Sequence, residues 1–255
     1  MIATFCGQVG FLFETAQATF LIDPYFSNSV EEQEDPSIKR LVPIPYAPES
    51  LSNIDFVLIT HAHRDHCDAD TLVPLSFASP ECQFYGPAPV ISLLKKAGIS
   101  HQRLHQVTDR PFTIADVAIQ PVPSAHPLVN TDKRGGWQAL GYVFETDNRR
   151  YYHPGDTAVT ADVIAAVTAC GAIDVGMIPV NEINYYRNRD NIIGNMSIRE
   201  AFQFAEDLQI DTVIPTHWDM FAANQVYREE IALLYDRISP NFTLTILDSG
   251  STYVG

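Results

Sequence analysis

The densest chemistry in the chain lies in one short stretch, Thr60-His61-Ala62-His63-Arg64-Asp65-His66-Cys67-Asp68. Three imidazoles and a carboxylate follow H-x-H-x-D-H spacing. On extended backbone, residues two apart share a side, so His61, His63 and Asp65 can face one point. His66 breaks that alternation, and a turn there would aim it at a second point beside the first. A polar loop would leave these histidines in ordinary hydrogen bonds. Such crowding of nitrogen and oxygen donors reads instead as a metal site.

Three later residues add donors at the ends of strand-like runs. His126 follows Val122 to Ala125, Asp156 follows Tyr151 to Gly155, and His217 follows Thr212 to Thr216. His61, His63, Asp65, His66, His126, Asp156 and His217 are therefore the candidate ligands. An all-nitrogen-and-oxygen set suits zinc, manganese or iron, and two divalent ions need carboxylates to offset their charge. Zinc is the default and manganese or iron the alternatives. Cys67 adjoins His66, but the set is complete without a thiolate. Asp68 reads as an acceptor orienting a ligand histidine, or as a helix cap. His153 reads as a group behind the ligands, and Asp23 as a turn residue or as support for the site. His101 and His105 read as surface residues.

The elements that must position these donors are mostly strands. Phe56-Val57-Leu58-Ile59, just before the cluster, is a short apolar run of the buried-strand kind. Gly10–Glu14 and Ala18–Asp23 form an early hairpin, and Gly141–Glu145 with Arg150–His153 form another around Asp147-Asn148. Further strands are expected at Gln83–Pro87, within Phe112–Val122, at Asp174–Val180 and Thr212–His217, and at Phe242–Leu247 as the closing strand. Helices are expected over Ala69–Leu75, Val90–Ala97, Ala161–Cys170 and Val226–Arg237. Ser197-Ile198-Arg199-Glu200 has the form of a capping box opening a helix to about Leu208. Strands then helices in each half predict one domain, 1–255, built from two βα halves of about 1–130 and 131–255.

Two segments lack periodicity. Residues 27–50 are acidic and proline-rich and predict an irregular rim loop. Asn181–Asn195 carries Tyr185, Tyr186, Arg187, Asn188, Arg189 and Asn191. An arginine fork suits phosphate or carboxylate, and tyrosines supply stacking surface. Tyr185, Tyr186, Arg187 and Arg189 are thus candidate substrate contacts, with Trp218 and Asp219 just past the last ligand.

Composition sets the partners. The 255 residues are 46% hydrophobic, enough for a large core without disulfide staples. A formal net charge of -15 opposes broad contact with nucleic acid or an anionic membrane. It leaves open a small anionic substrate, because metals and a few arginines set the sign inside a cleft. Cys6, Cys67, Cys82 and Cys170 are scattered without C-x-x-C spacing, which fits free thiols in a reducing cytoplasm. No basic leader or apolar membrane span is visible. The expected partner is a small molecule, and a homo-oligomer is left open.

H-x-H-x-D-H, a distant histidine, Gly155-Asp156-Thr157 and a late histidine after a strand together resemble the metal pattern of the metallo-β-lactamase superfamily. The resemblance runs from Gly10 to the closing strand. Within the superfamily the chain looks most like the branch containing the bacterial L-ascorbate-6-phosphate lactonase. Thr60–Asp68, Met177–Asn181, Asn195–Ser197 and Ile214–Asp219 carry that likeness. The chain is shorter than that lactonase, and its Tyr185–Asn195 loop differs.

The resemblance implies an α+β (α/β) fold, a four-layered αββα sandwich with a dinuclear centre at one edge of the sheets. His61, His63 and His126 would hold the first metal, Asp65, His66 and His217 the second, and Asp156 would bridge both. Manganese gains weight from the lactonase branch. Asp65 and Asp156 are the catalytic candidates, Asp65 as a proton relay. Hydroxide generated between two metals would attack a carbonyl or phosphoryl centre. The first expectation is a metal-dependent lactonase or ester-type hydrolase acting on a small polar sugar acid, with or without a phosphate. A metal-dependent phosphodiesterase is the alternative. A non-hydrolytic redox or metal-binding protein comes third, because redox relatives carry glutamate where this chain has His63.

Overall fold

The computed structural model describes residues 1–190 and 192–255. The strands are β1 (Ile2–Phe5), β2 (Phe11–Glu14), β3 (Thr19–Ile22), β4 (Phe56–Leu58), β5 (Gln83–Gly86), β6 (Leu104–Gln106), β7 (Phe112–Ile114), β8 (Val117–Pro123), β9 (Leu140–Thr146), β10 (Arg149–His153), β11 (Ile173–Pro179), β12 (Ile210–Thr216), β13 (Thr243–Leu244) and β14 (Thr252–Val254). The helices are α1 (Ser29–Gln33), α2 (Ala69–Ala78), α3 (Ala88–Lys96), α4 (Ala161–Thr168), α5 (Tyr185–Arg189), α6 (Ile198–Asp207) and α7 (Arg228–Ile238). None of the described helices is long and apolar enough to cross a membrane.

Two seven-stranded sheets result, ordered β14-β1-β2-β3-β4-β5-β6 and β13-β12-β11-β10-β9-β8-β7. Their strands are apolar on both faces, and the alternation sorts the side chains into layers. Phe11, Phe13, Phe20, Ile22, Phe56 and Leu58 point inward against Ile119, Tyr142, Phe144, Val175 and Ile214 of the second sheet. Their neighbours Leu12, Leu21, Val57 and Ile59 point outward onto Leu72 and Leu75 of α2 and Val90 and Leu94 of α3. On the other side Val143, Tyr152, Ile178 and Val213 meet α4, α6 and α7. That is the expected αββα sandwich. An aromatic ladder runs through its middle: Phe13–Phe20 at 4.8 Å and Phe20–Phe56 at 4.5 Å stack, while Phe144 meets Phe13 edge-on at 5.2 Å. Each such pair adds about 0.5–1.5 kcal/mol beyond area burial.

Several sequence expectations shift. The change of sheet falls between β6 and β7, ahead of the expected division near residue 130. The cause is register: β8 pairs with β9 from Ala118↔Glu145 to Pro123↔Leu140, so β7 and β8 already belong to the second sheet. The chain also returns at its end, β14 pairing with β1 through Ala3↔Tyr253. Phe242–Leu247 forms only the short β13, and Asp248–Ser251 turns the chain back towards β1. Two short helices, α1 and α5, occur in the segments read as irregular. The capping box at Ser197 is present, with Glu200 bonded to the Ser197 backbone and Ser197 to the Glu200 backbone.

Strand direction decides where the donors land. β3 to β6 are parallel, as are β10 to β13. β1 and β8 each lie two antiparallel pairings from a member of those sets, so they run the same way as β3 and β10. The chain therefore leaves β1, β3, β4, β8, β10 and β12 at one edge of the sandwich. The residues just beyond those ends include Gln8, Asp23, His61, His126, Asp156 and His217.

Candidate metal centre

At this edge the seven side chains singled out by the sequence converge. His61 Nε2 lies 3.0 Å from His63 Nδ1, which lies 3.1 Å from His126 Nε2. Asp65, His66 and His217 form a second group of donor atoms within 4.8 Å of one another. His66 Nε2 is 3.6 Å and His217 Nε2 3.9 Å from Asp65 Oδ2. Asp156 reaches both groups: Oδ2 is 3.5 Å from His126 Nε2 and 3.4 Å from His217 Nε2, and Oδ1 is 3.5 Å from His66 Nε2.

Local backbone explains the convergence. Just past β4, Ile59 N–H still donates to Tyr85 C=O at 2.8 Å. The chain then turns, His66 N–H and Cys67 N–H both donating to His63 C=O at 3.1 and 2.8 Å. That turn redirects His66, as the spacing required. The Asp156 loop needs Gly155, at φ +62°, because a Cβ there would collide with the Thr60 side chain. Ser124 Oγ donates to Pro154 C=O at 2.7 Å and Ala125 N–H to Thr157 Oγ1 at 3.0 Å, tying the His126 loop to the Asp156 loop.

Asp23, at φ +44°, is the hub behind the histidines. Its Oδ2 lies 2.8 Å from His66 Nδ1 and accepts Thr60 O–H at 2.5 Å, while Oδ1 accepts Thr60 N–H at 2.8 Å. Thr60 Oγ1 in turn sits 3.1 Å from His61 Nδ1. With Thr60 donating to Asp23, His61 Nδ1–H donates to Thr60 and its Nε2 lone pair turns inward, while His66 Nδ1–H donates to Asp23 and its Nε2 points inward. Of the two readings of Asp23, support for the site is the one with contacts behind it.

Asp68 and His153 do other work. Asp68 caps α2, accepting Asp70 N–H, and takes hydrogen bonds from Ser27 Oγ at 2.7 Å, Ser29 Oγ at 2.8 Å and Thr71 Oγ1. It anchors the start of the 27–50 segment and touches none of the histidines among the described contacts. His153 bonds Val9 C=O through Nε2 at 2.7 Å and accepts Gly155 N–H at 3.2 Å, bracing the Asp156 loop. Cys67 is buried, and burial first, then Asp23 and Asp68, raises its thiol pKa far above the ordinary value.

The electrostatics differ across the site. Burial, reinforced by His66 and His126, holds His61 well below its ordinary pKa, and burial brings His126 down to about 4. Burial also opposes charge on His66, but Asp156, Asp65 and Asp23 outweigh it and push it up to about 10. His217 is likewise raised, Asp156 overcoming burial. Burial opposes ionisation of Asp156, yet His217, His66 and His126 hold it well below its ordinary value. Asp65 is lowered against burial by His66 and His217.

Two buried atoms, His66 Nε2 and Asp156 Oδ1, face each other at 3.5 Å without any hydrogen-bond partner. Leaving such atoms unpaired costs about 1–3 kcal/mol each. The converging ring nitrogens of His61, His63 and His126 add to this. Both features fit a cation. The donor set also fits: nitrogen from imidazole, oxygen from two carboxylates, no thiolate.

A cavity of about 240 Å³ opens beside these residues, with His63, Asp65, His126 and Asp156 on its floor. Its apolar walls are Val30 and Ile38 from the 27–50 segment, Ile192 and Ile193 from the 181–195 segment, and Phe221, with Glu34 and Asn224 as polar neighbours. Arg64 is the cation on the rim, and it is paired with Glu34 at 3.0 Å and Gln33 at 2.9 Å.

The expected substrate contacts lie elsewhere. Tyr185 and Tyr186 are 74% and 68% exposed on α5. Arg189 pairs with Asp190 at 2.9 Å, and Arg187 is consumed by the carbonyls of Asn181, Glu182 and Gln225. Trp218 packs into the core behind the second sheet, and Asn191 lies outside the described residues. Asp219 is buried, which raises its carboxyl to about 6, and accepts Gln8 N–H at 3.0 Å. Gln8 itself was missed by sequence reasoning. The available signal was a polar residue between glycines in Cys6-Gly7-Gln8-Val9-Gly10, at a strand end facing the same edge.

A family model described as the beta-lactamase superfamily domain matches residues 18–218. A metal-dependent hydrolase of Pyrococcus furiosus is 27% identical over 217 residues, 85% of this chain and 84% of that protein. An N-acyl-phosphatidylethanolamine-hydrolyzing phospholipase D of Caenorhabditis elegans is 25% identical over 195 residues, 71% of this chain. The match spans only 53% of the nematode enzyme's length. Among solved structures, an isothiocyanate hydrolase from Delia radicum gut bacteria superposes with a TM-score of 0.78 at 18% identity, covering 100% of this chain and 99% of that one.

Proposed function

The chain belongs to the metallo-β-lactamase superfamily, and from that premise we propose that it is a dinuclear metal-dependent hydrolase of small ester or lactone substrates. Metal-dependent hydrolysis is the coarser statement, carried by the family and by the relatives it matches. The finer reading rests on one observation: Asp156 stands between two groups of convergent donor atoms, within 3.5 Å of both.

In this reading His61, His63 and His126 hold one divalent cation, Asp65, His66 and His217 hold another, and Asp156 is shared. When bound, the pair polarises the scissile group and lowers the pKa of a water towards about 7. The chain's own residues supply the rest. Asp23 and Thr60 fix the tautomers of His66 and His61, so neither ring has to reorganise. Asp65 is ionised, lies on the cavity floor and uses Oδ2 for its contacts with Gln8 and the histidines. Oδ1 is thus the atom to take the proton of the attacking water and return it to the leaving oxygen. The apolar part of the walls, Val30, Ile38, Ile192, Ile193 and Phe221, offers a surface for an apolar substrate body.

Those walls alter the substrate expected from the sequence. A phosphorylated sugar acid would want the arginine fork, and Arg187 and Arg189 are engaged elsewhere. We therefore favour a small neutral ester or lactone. Phosphodiester hydrolysis is the second reading, favoured by the phospholipase D likeness. Metal analysis of the purified protein, followed by a substrate panel, separates them. The panel sets neutral lactones and short esters beside phosphorylated lactones and bis-p-nitrophenyl phosphate. Turnover of the neutral carbonyl substrates is expected. Diester cleavage alone would reverse the ranking, and full activity in a metal-free sample would end both readings.

A further inference from the structure

We propose that Gln8 is an additional ligand of this centre, binding the second cation through its side-chain oxygen; the proposal rests on the dinuclear reading above. Gln8 sits in the tight turn between β1 and β2, where Cys6 N–H donates to Gly10 C=O at 2.8 Å. It is 1% exposed. Its φ of +59° lies in the left-handed region, uncommon for a residue with a Cβ. The backbone is locked on both sides: Gln8 N–H donates to Asp219 Oδ1 at 3.0 Å, and Gln8 C=O accepts His217 N–H at 2.5 Å. The turn is thus bolted to the strand end that carries His217.

The carboxamide points into the second group of donors. Its nitrogen lies 2.6 Å from Asp65 Oδ2 and 3.1 Å from His217 Nε2, the two atoms assigned to the cation. Its oxygen is buried with no partner. Beside the Asp65 carboxylate, an amide must face inward with its N–H groups. It then occupies the lone pairs a cation would use. Once a cation takes those lone pairs, the N–H groups lose their acceptors and their dipole opposes the charge. Withdrawal is blocked by the locked backbone and the enclosure. A half-turn about the Cγ–Cδ bond, a soft two-fold torsion, reverses the amide without moving the chain. The carbonyl oxygen then meets the cation, where an amide nitrogen would not bind.

The second position would then have Asp65, His66, His217, the shared Asp156 and Gln8. Five protein donors, three of them oxygen, exceed the four of tetrahedral zinc and suit manganese(II) or iron(II). The first position, with three imidazoles, suits zinc.

Calorimetric titration of the metal-free protein with Mn²⁺ and with Zn²⁺, on wild type, Gln8→Leu and Gln8→Glu, tests this. In Gln8→Leu the second Mn²⁺ equivalent is expected to weaken about 10–100-fold, with a smaller loss for Zn²⁺ and the first equivalent retained. Gln8→Glu, which restores an oxygen ligand, is expected to recover Mn²⁺ binding. Unchanged Mn²⁺ affinity in Gln8→Leu overturns the assignment, as does an equal loss in both variants. Wild type that binds one equivalent in all overturns the dinuclear reading and this assignment with it. Wild type with two equivalents and an indifferent Gln8→Leu removes Gln8 alone. Should Gln8→Leu fail to fold, a crystal structure of Mn²⁺-loaded wild type decides. The inward carboxamide atom within coordination distance of the anomalous peak supports the assignment. The same atom still hydrogen-bonded to Asp65 and out of reach of the metal overturns it.

Discussion

The two proposed cation positions share Asp156 and an edge of the sandwich, yet they are prepared in opposite ways. At the first, burial keeps His61 and His126 uncharged without a metal. At the second, Asp156 and Asp65 outweigh burial, hold His66 protonated and shift His217 in the same direction. One position waits with the uncharged rings of His61 and His126; at the other a cation must displace the proton on His66. The number of carboxylates near each ring decides which. A site that looks symmetrical as a ligand list is asymmetrical as a set of charges.

The largest expected effect erases that comparison. Asp156→Ala removes the residue common to both positions and leaves five imidazoles and Asp65 without a bridge. Metal analysis should find both equivalents lost, and hydrolysis should be abolished. His61→Ala is the control: the second equivalent should persist while hydrolysis fails. If Asp156→Ala keeps two equivalents, the carboxylate is not shared.

Asp23→Ala should be the next largest, because one carboxylate orients His66 directly and His61 through Thr60. Loss of such outer partners costs about 10–100-fold in metal affinity or activity. Both equivalents should weaken, the second more, since His66 loses its partner outright. An effect confined to one equivalent would show that the Thr60 relay does not matter.

The unequal reach of the sequence has physical causes. The ligand pattern was legible because cations demand particular donor atoms and the strands before His61, His126 and His217 announce themselves as apolar runs. The layers were legible through the resemblance, and the strands within them through apolar runs such as Phe56–Ile59. Gln8 was hidden because its role depends on a left-handed turn and on His217, more than two hundred positions away. Arg187 and Arg189 were visible as charges, but the carbonyls and the carboxylate that occupy them were not. The apolar cavity walls come from Val30, Ile38, Ile192, Ile193 and Phe221, scattered over three segments with no common period.

Proton inventory sharpens the comparison. Loading the second position at pH 7 should release a proton from His66, and its affinity should climb as pH rises towards about 10. Loading the first should release none from His61 or His126. Calorimetry in buffers of different ionisation enthalpy reads this directly. Metal-free stability follows with a fixed sign. His66 has a raised pKa in the fold, so its contribution is complete below its ordinary value near 6.5 and is lost as pH rises to about 10. Asp156 and Asp65 are depressed, so theirs is present above about 3.8 and lost on acidification. Unfolding midpoints of the metal-free protein should therefore fall on both sides. A midpoint that rises steadily from pH 6.5 to 10 would contradict the charge assignment at the second position.

The smallest effects concern the rim, where the contrast is between two neighbouring arginines. Arg187 donates to three backbone carbonyls, those of Asn181, Glu182 and Gln225, and so pins the segment that brings Ile192 and Ile193 to the cavity. Charged hydrogen bonds of this kind are worth about 1.5–3 kcal/mol each when buried, and partial exposure reduces that. Arg187→Ala should lower the unfolding midpoint and raise KM while leaving metal content intact. Arg189 pairs only with Asp190 among the described contacts, in solvent, and packs over Tyr186 at 5.6 Å. Arg189→Ala should change stability by no more than about 0.5 kcal/mol, as exposed sites do, and should leave KM for neutral esters where it was. A rise in KM confined to phosphorylated substrates in Arg189→Ala would mean that α5 swings over the cavity during turnover, returning the arginine to substrate recognition.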